Sequence, residues 1–191
     1  LGSVNLSRFL KKEGKGRSVD YRKLEDTVRL GVRFLDNAVD MGRYPVPEIE
    51  RMAKGNRKIG LGVMGFADML AKMRIPYASD EGFKTGEEVM RFIRDAAWDE
   101  SQRLAGERGA FPNISRSVFD RPGREPVRNA TVTTIAPTGT LSIIAGCSSG
   151  IEPFFSLSFT RRVLDGVELP ELNAVFLDAA EEQGFMSEGL K

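Results

Sequence analysis

Three observations predict an α/β fold for this 191-residue chain. Helix-periodic apolar stripes recur over 21–39 and 86–107, and short apolar or β-branched runs alternate with them. One such run, Val132-Thr133-Thr134-Ile135, breaks at Pro137 into a hydroxyl-rich glycine turn and a new helix start. Strand, helices, strand, helix, strand, helix is an α/β order. The length suffices for one core, so 1–191 is read as a single domain or a piece of a larger one.

Each element has its own signal. The opening 1–9 reads as an interior strand, followed by a solvated Lys- and Gly-rich loop over 11–17. Asp20 is the predicted N-cap of a helix over 21–39, with Leu24, Val28, Val32, Leu35 and Val39 on one face. Pro45 and Pro47 interrupt the chain, and 48–54 forms a short helix. Phe66, Met69, Leu70 and Met73 then mark an amphipathic segment that Ile75-Pro76-Tyr77 stops. A long helix over 86–107 puts Val89, Ile93, Ala96, Ala97 and Leu104 in the core. The prolines at 112, 122 and 126 make 111–128 an extended loop. After the glycine turn come a Gly-Cys-Ser-Ser-Gly loop, a strand over 154–159 and a helix over 171–183.

Composition excludes several kinds of chemistry. The chain has 28 Lys and Arg against 27 Asp and Glu, a net charge of +1, so no chain-wide field favours nucleic acid and any anion must be bound locally. Histidine is absent, which removes Ser-His-Asp and Cys-His catalysis and HExxH zinc sites from this chain. The single Cys147 cannot form an internal disulfide and no zinc pattern exists; its Gly-Ser loop leaves a redox role and a small buried residue both open. No apolar run is long enough to span a bilayer. The chain opens on Leu1 within a strand-like stretch and is expected to be a segment of a longer protein.

The candidate site is the turn Pro137-Thr138-Gly139-Thr140-Leu141-Ser142. A strand delivers it, Gly139 permits close backbone approach, and the N–H groups of Gly139, Thr140 and Leu141 at a helix N-terminus suit a phosphate. The same letters also describe a capped strand-to-helix turn with no ligand. A second motif, Gly60-Leu61-Gly62-Val63-Met64-Gly65, spells GxGxxG and is followed by Asp80 at the distance of a ribose-binding acid, which would suit an NAD-dependent oxidoreductase. Its context argues against that: the preceding 52–58 is charged and helix-like, Asp80 lies in a turn-like Ser-Asp-Glu-Gly, and close helix packing is the alternative role for the glycines. A phosphate-binding module without chemistry is the third reading.

From Arg128-Asn129-Ala130-Thr131 through the turn to Ser148-Ser149-Gly150-Ile151-Glu152-Pro153, the chain resembles the catalytic subunit of ribonucleotide reductases, most of all the adenosylcobalamin-dependent class. Gly2-Ser3-Val4-Asn5-Leu6, Phe34-Leu35-Asp36-Asn37 and 57–68 are similar to further segments of that family in the same order. The resemblance implies the C-terminal half of a ten-stranded α/β barrel. It implies conversion of ribonucleoside di- or triphosphates to deoxyribonucleotides by thiyl-radical chemistry, with adenosylcobalamin as the parent's cofactor. It assigns the substrate phosphates to Pro137, Thr138, Gly139, Thr140 and Leu141, with Ser142 adjoining, and places no radical or redox cysteine at Cys147, which is then expected to be a small buried residue.

The partners it implies are a ribonucleotide, the N-terminal half of the barrel, a thioredoxin-like reductant and a second subunit of a homodimer. A cytoplasmic location without DNA, RNA or membrane binding is expected. Glu152 is read as fixing its loop by accepting backbone hydrogen bonds and Asn5 as structural, while Phe159 stands where the family pattern has a tyrosine.

Overall fold

The computed structural model describes residues 1–14, 16–162 and 166–190. β1 (Gly2–Asn5) lies parallel to β4 (Leu61–Met64), with Ser3 opposite Gly62 and Val4 opposite Val63. The crossover between them carries α1 (Tyr21–Met41) and α2 (Pro47–Asn56), the kind of long connection that parallel strands need. Residues 131–134 run along the other edge of β4. There the Leu61 N–H donates to the Val132 carbonyl at 2.8 Å and the Thr134 N–H to the Leu61 carbonyl at 3.2 Å.

The expected strand at Val132 to Ile135 is a shorter contact than the sequence suggests. Only Thr133 forms a ladder bridge, opposite Leu61. Pro137 has no N–H to continue the ladder and Thr138 turns the chain away at φ 56°. The stretch read as a loop over 11–17 is an antiparallel hairpin of β2 (Leu10–Glu13) and β3 (Gly16–Val19), turning at Gly14 with φ 57°. Its charged side chains Lys11, Lys12 and Glu13 stand in water while the backbones pair, so polarity did not preclude a strand.

The helices carry the core. Asp20 caps α1 by accepting from the Lys23 N–H at 3.1 Å, and Leu24, Val28, Val32 and Leu35 form the buried stripe, with Val39 half-buried at its end. That stripe packs on α4 (Asp80–Arg108), whose Val89, Ile93, Ala97 and Leu104 are wholly buried. α4 begins six residues before the predicted 86. Ser79 caps it, accepting from the Gly82 N–H at 3.1 Å, and Asp80 and Glu81 complement the helix dipole in its first turn. The turn-like Ser-Asp-Glu-Gly is thus a helix start.

Beyond α3 (Phe66–Met73), α4 and the extended loop comes α5 (Gly139–Ala145). β5 (Ser158–Arg162) pairs antiparallel with β6 (Glu168–Leu172), which displaces the strand expected over 154–159. β6 also consumes the start of the predicted final helix. α6 (Ala174–Gln183) begins after Asn173, whose side chain accepts from the Phe176 N–H at 3.0 Å. The described strands form three two-stranded sheets in a mixed α/β arrangement, and a closed barrel is not formed by these residues. Among them no helix is long and apolar enough to cross a membrane.

Candidate functional site

The turn predicted from sequence does lead into a helix. α5 starts at Gly139, and Thr138 at its N-cap position is left-handed, an uncommon state for a β-branched residue. Its Oγ1 makes no capping bond. Instead it accepts from the Gly150 N–H at 2.8 Å, while Gly150, at φ 47°, brings its α-carbon so close to the Ala136 carbonyl that a Cβ would sit 2.7 Å from the oxygen. The strained turn is therefore held from behind by the loop at 148–150.

Helix geometry leaves the N–H groups of Gly139, Thr140 and Leu141 without intrahelical acceptors. Gly139, Thr140 and Leu141 are exposed, and a Cβ built on Gly139 would meet nothing within 4 Å. Neither the neighbours nor the backbone conformation thus demand glycine here. Pro137 is exposed at the head of the turn. Ser142, only 2% exposed, donates from Oγ to the Gly139 carbonyl at 2.8 Å and lies 2.9 Å from Ser149 Oγ, so its hydroxyl braces the helix from beneath.

A carboxylate that the sequence did not single out supports the same loop. Asp68, buried on α3, accepts from the Ser148 N–H at 2.6 Å, and the Ser148 carbonyl accepts from the Gly65 N–H at 2.8 Å. Asp68 and Ser148 are 80 positions apart, so no local pattern links them. A cavity of about 460 Å³ lies between this floor, α5 and the start of α6, lined in part by Asp68, Ser142, Cys147 and Glu152. The Glu152 carboxylate is exposed and accepts no hydrogen bond among the described residues, contrary to its expected loop-fixing role. Asn5 is structural as expected, its Oδ1 accepting from the Ser7 N–H at 3.1 Å.

Cys147 is half-buried rather than fully buried. Burial first, and then the Asp68 charge, push its thiol up to about 11, so it is protonated at neutral pH. Among the described residues no group of His, Cys, Asp and Glu could hold a metal ion.

The register of 131–134 is set upstream by a buried charge node. Asp36, with no exposure, accepts at Oδ1 from Arg57 Nε at 2.9 Å and Asn129 Nδ2 at 3.0 Å, and at Oδ2 from Arg108 at 3.2 Å and Arg128 at 3.3 Å. Asn129 also donates to the Arg57 carbonyl, and the Ala130 N–H to the Asn56 carbonyl. These bonds fix which residues of the segment meet β4, and so where the chain enters the turn.

Gly60 and Gly62 serve strand packing, not helix packing and not a dinucleotide, and Gly65 makes the left-handed turn into α3. The motif brackets β4, with Gly60 before it and Gly65 after it, instead of following a strand. A Cβ on Gly60 would lie 2.9 Å from Thr134 Cγ2, and one on Gly62 3.1 Å from the Thr134 carbonyl, so both admit the neighbouring segment. The N-terminus of α3 is covered by Ser148, and Asp80 belongs to α4.

With this geometry in view, comparison with known proteins gives one family. The model of the ribonucleotide reductase barrel domain matches residues 1–123 and 116–191. The chain belongs to that family. A vitamin B12-dependent ribonucleoside-diphosphate reductase of Thermoplasma acidophilum is 50% identical over 190 residues, covering 100% of this chain and 24% of the relative. One of Mycobacterium tuberculosis is 49% identical, covering 100% and 26%. A ribonucleoside-diphosphate reductase subunit alpha of Chlamydia pneumoniae is 32% identical, covering 87% and 19%. This barrel-domain chain spans about a quarter of the length of the B12-dependent relatives.

Proposed function

We propose that this chain is the part of an adenosylcobalamin-dependent ribonucleoside-diphosphate reductase that seats the substrate's phosphates, within a ten-stranded barrel completed by the rest of the parent. The reading rests above all on the exposed first turn of α5, where three N–H groups lack intrahelical acceptors and Gly139 borders open space. Pro137 and Thr138 shape the approach, the N–H groups of Gly139, Thr140 and Leu141 donate to the phosphate oxygens, and Ser142 holds the turn rigid from below. Rigid donors contribute by placing the ribose for reaction and add no reorganisation cost at that moment.

The relatives' names favour a diphosphate substrate and vitamin B12. Adenosylcobalamin would supply the radical in the parent. This chain has no histidine to offer as a cobalt ligand, and the family resemblance places neither a radical nor a redox cysteine within it. Its own part is binding and orientation, and the radical and reducing thiols belong to the remainder of the parent. A cytoplasmic homodimer re-reduced by a thioredoxin-like protein completes the reading.

Gly139→Val in the full-length protein tests it. Since a Cβ at this position meets nothing within 4 Å among the described residues, melting temperature should stay unchanged while ribonucleoside diphosphate affinity falls at least about tenfold, as crowding displaces the charge-assisted bonds. Unchanged affinity overturns the assignment.

A further inference from the structure

A second concave surface lies at the C-terminal end of α3 and plays no part in the function proposed above. A cavity of about 200 Å³ opens between the β2–β3 hairpin, the end of α3 and the end of α6, lined by Lys12, Arg17, Lys72, Arg74 and Glu182 among others. Among the described lining residues, four cations thus face one carboxylate. That local excess of three positive charges exceeds the +1 of the entire chain. Arg17 lies 3.0 Å from Glu182 Oε1 and Arg74 3.8 Å from Oε2, so a single acid is shared between two guanidinium groups. Lys12 and Lys72 have no ion-pair partner among the described residues.

Helix electrostatics explain only part of this. Lys72 and Arg74 stand at the C-terminus of α3, where the dipole favours cations. Lys12 and Arg17 come from the hairpin and owe nothing to that helix. Glu182 stands in the last turn of α6, the end at which a carboxylate is disfavoured, yet it is the group that reaches both arginines. A concave wall that focuses like charge on water is unfavourable unless an anion complements it.

We propose that this cavity is a binding site for a phosphate-class polyanion, of the size and charge of a pyrophosphate group, with Glu182 as the built-in anion that it displaces. Pyrophosphate oxygens bridge Arg17 and Arg74 in place of the carboxylate, and Lys12 and Lys72 neutralise the remaining charge. The source is either free pyrophosphate or the phosphate tail of a nucleotide.

Hydrogen-exchange mass spectrometry on the full-length protein with inorganic pyrophosphate tests this, because protection is read separately at each segment. Saturable protection is expected at the hairpin and at the end of α3. Lys12→Gln combined with Lys72→Gln should raise the half-saturating concentration about tenfold, and Glu182→Gln should lower it about threefold, by removing the competitor. Both lysines are unpaired, so their loss leaves the fold intact. Equal protection by pyrophosphate and ADP identifies the phosphates as the whole determinant, and stronger protection by ADP identifies a nucleotide. Absence of protection, or protection unaffected by the lysine substitutions, overturns the proposal. Protection confined to the 137–141 turn overturns it while leaving the substrate-phosphate reading intact, and protection here with none at the turn does the reverse.

Discussion

Two glycines that look alike in the sequence have opposite reasons to be there. Gly65 is left-handed at φ 69°, and a Cβ on it would fall 2.4 Å from Asn5 Oδ1, so the fold itself demands glycine. Gly139 has helical geometry and open space around it, so nothing among the described residues demands glycine there. The turn motif was legible because strand, turn and helix start are adjacent in the chain. Asp68 was not, because its partner Ser148 arrives only through the tertiary fold. Cys147 yields a prediction at this scale. With its thiol pushed up to about 11, iodoacetamide should modify it slowly at pH 7–8 and progressively faster as the pH approaches 11, and Cys147→Ser should retain turnover in the full-length protein. Fast alkylation at neutral pH, or loss of turnover, contradicts its assignment as a bystander.

At the level of elements, the apolar periodicity of α1 and α4 located the core, since a buried helix stripe repeats on a fixed period. Periodicity said nothing of Asp36, which lies beside Leu35 and is just as buried. A charge can be buried there only because Arg57, Arg108, Arg128 and Asn129 converge on it from three separate stretches. Asp36→Ala should destabilise the fold by about 3–5 kcal/mol in urea unfolding, because it strands those donors; a loss below 1 kcal/mol would show that the node is dispensable.

The neighbouring Asp40 supplies the pH dependence. The Arg57 hydrogen bond holds its carboxyl below the usual carboxylate range. A depressed folded pKa contributes stability at neutral pH and loses it as the pH falls below the unfolded value and through the folded one. Urea midpoints should therefore decline on acidification, and less so in Asp40→Asn. The contribution is modest, since the Asp40 side chain is 48% exposed. The hairpin at 10–19 and the shift of the C-terminal strand were not legible, because both depend on which backbone segment finds a partner and not on local polarity.

Over the whole molecule, the α/β class followed from element order, but the barrel followed only from resemblance to a family. The described residues make one short parallel layer and two hairpins. Leu30 and Phe34 on α1, Ile144 on α5 (78% exposed) and Phe155 (90% exposed) leave large apolar side chains in water. Such surface is normally covered. The isolated chain should self-associate in size-exclusion chromatography at micromolar concentration, and a monodisperse monomer would contradict that expectation.

The most direct test of the central claim is deoxyribonucleotide formation from a ribonucleoside diphosphate by the full-length protein, with a dithiol reductant, with and without adenosylcobalamin. Product that depends on the cofactor is the predicted result. No product under either condition, or product only with a separate radical-generating subunit, would contradict the assignment.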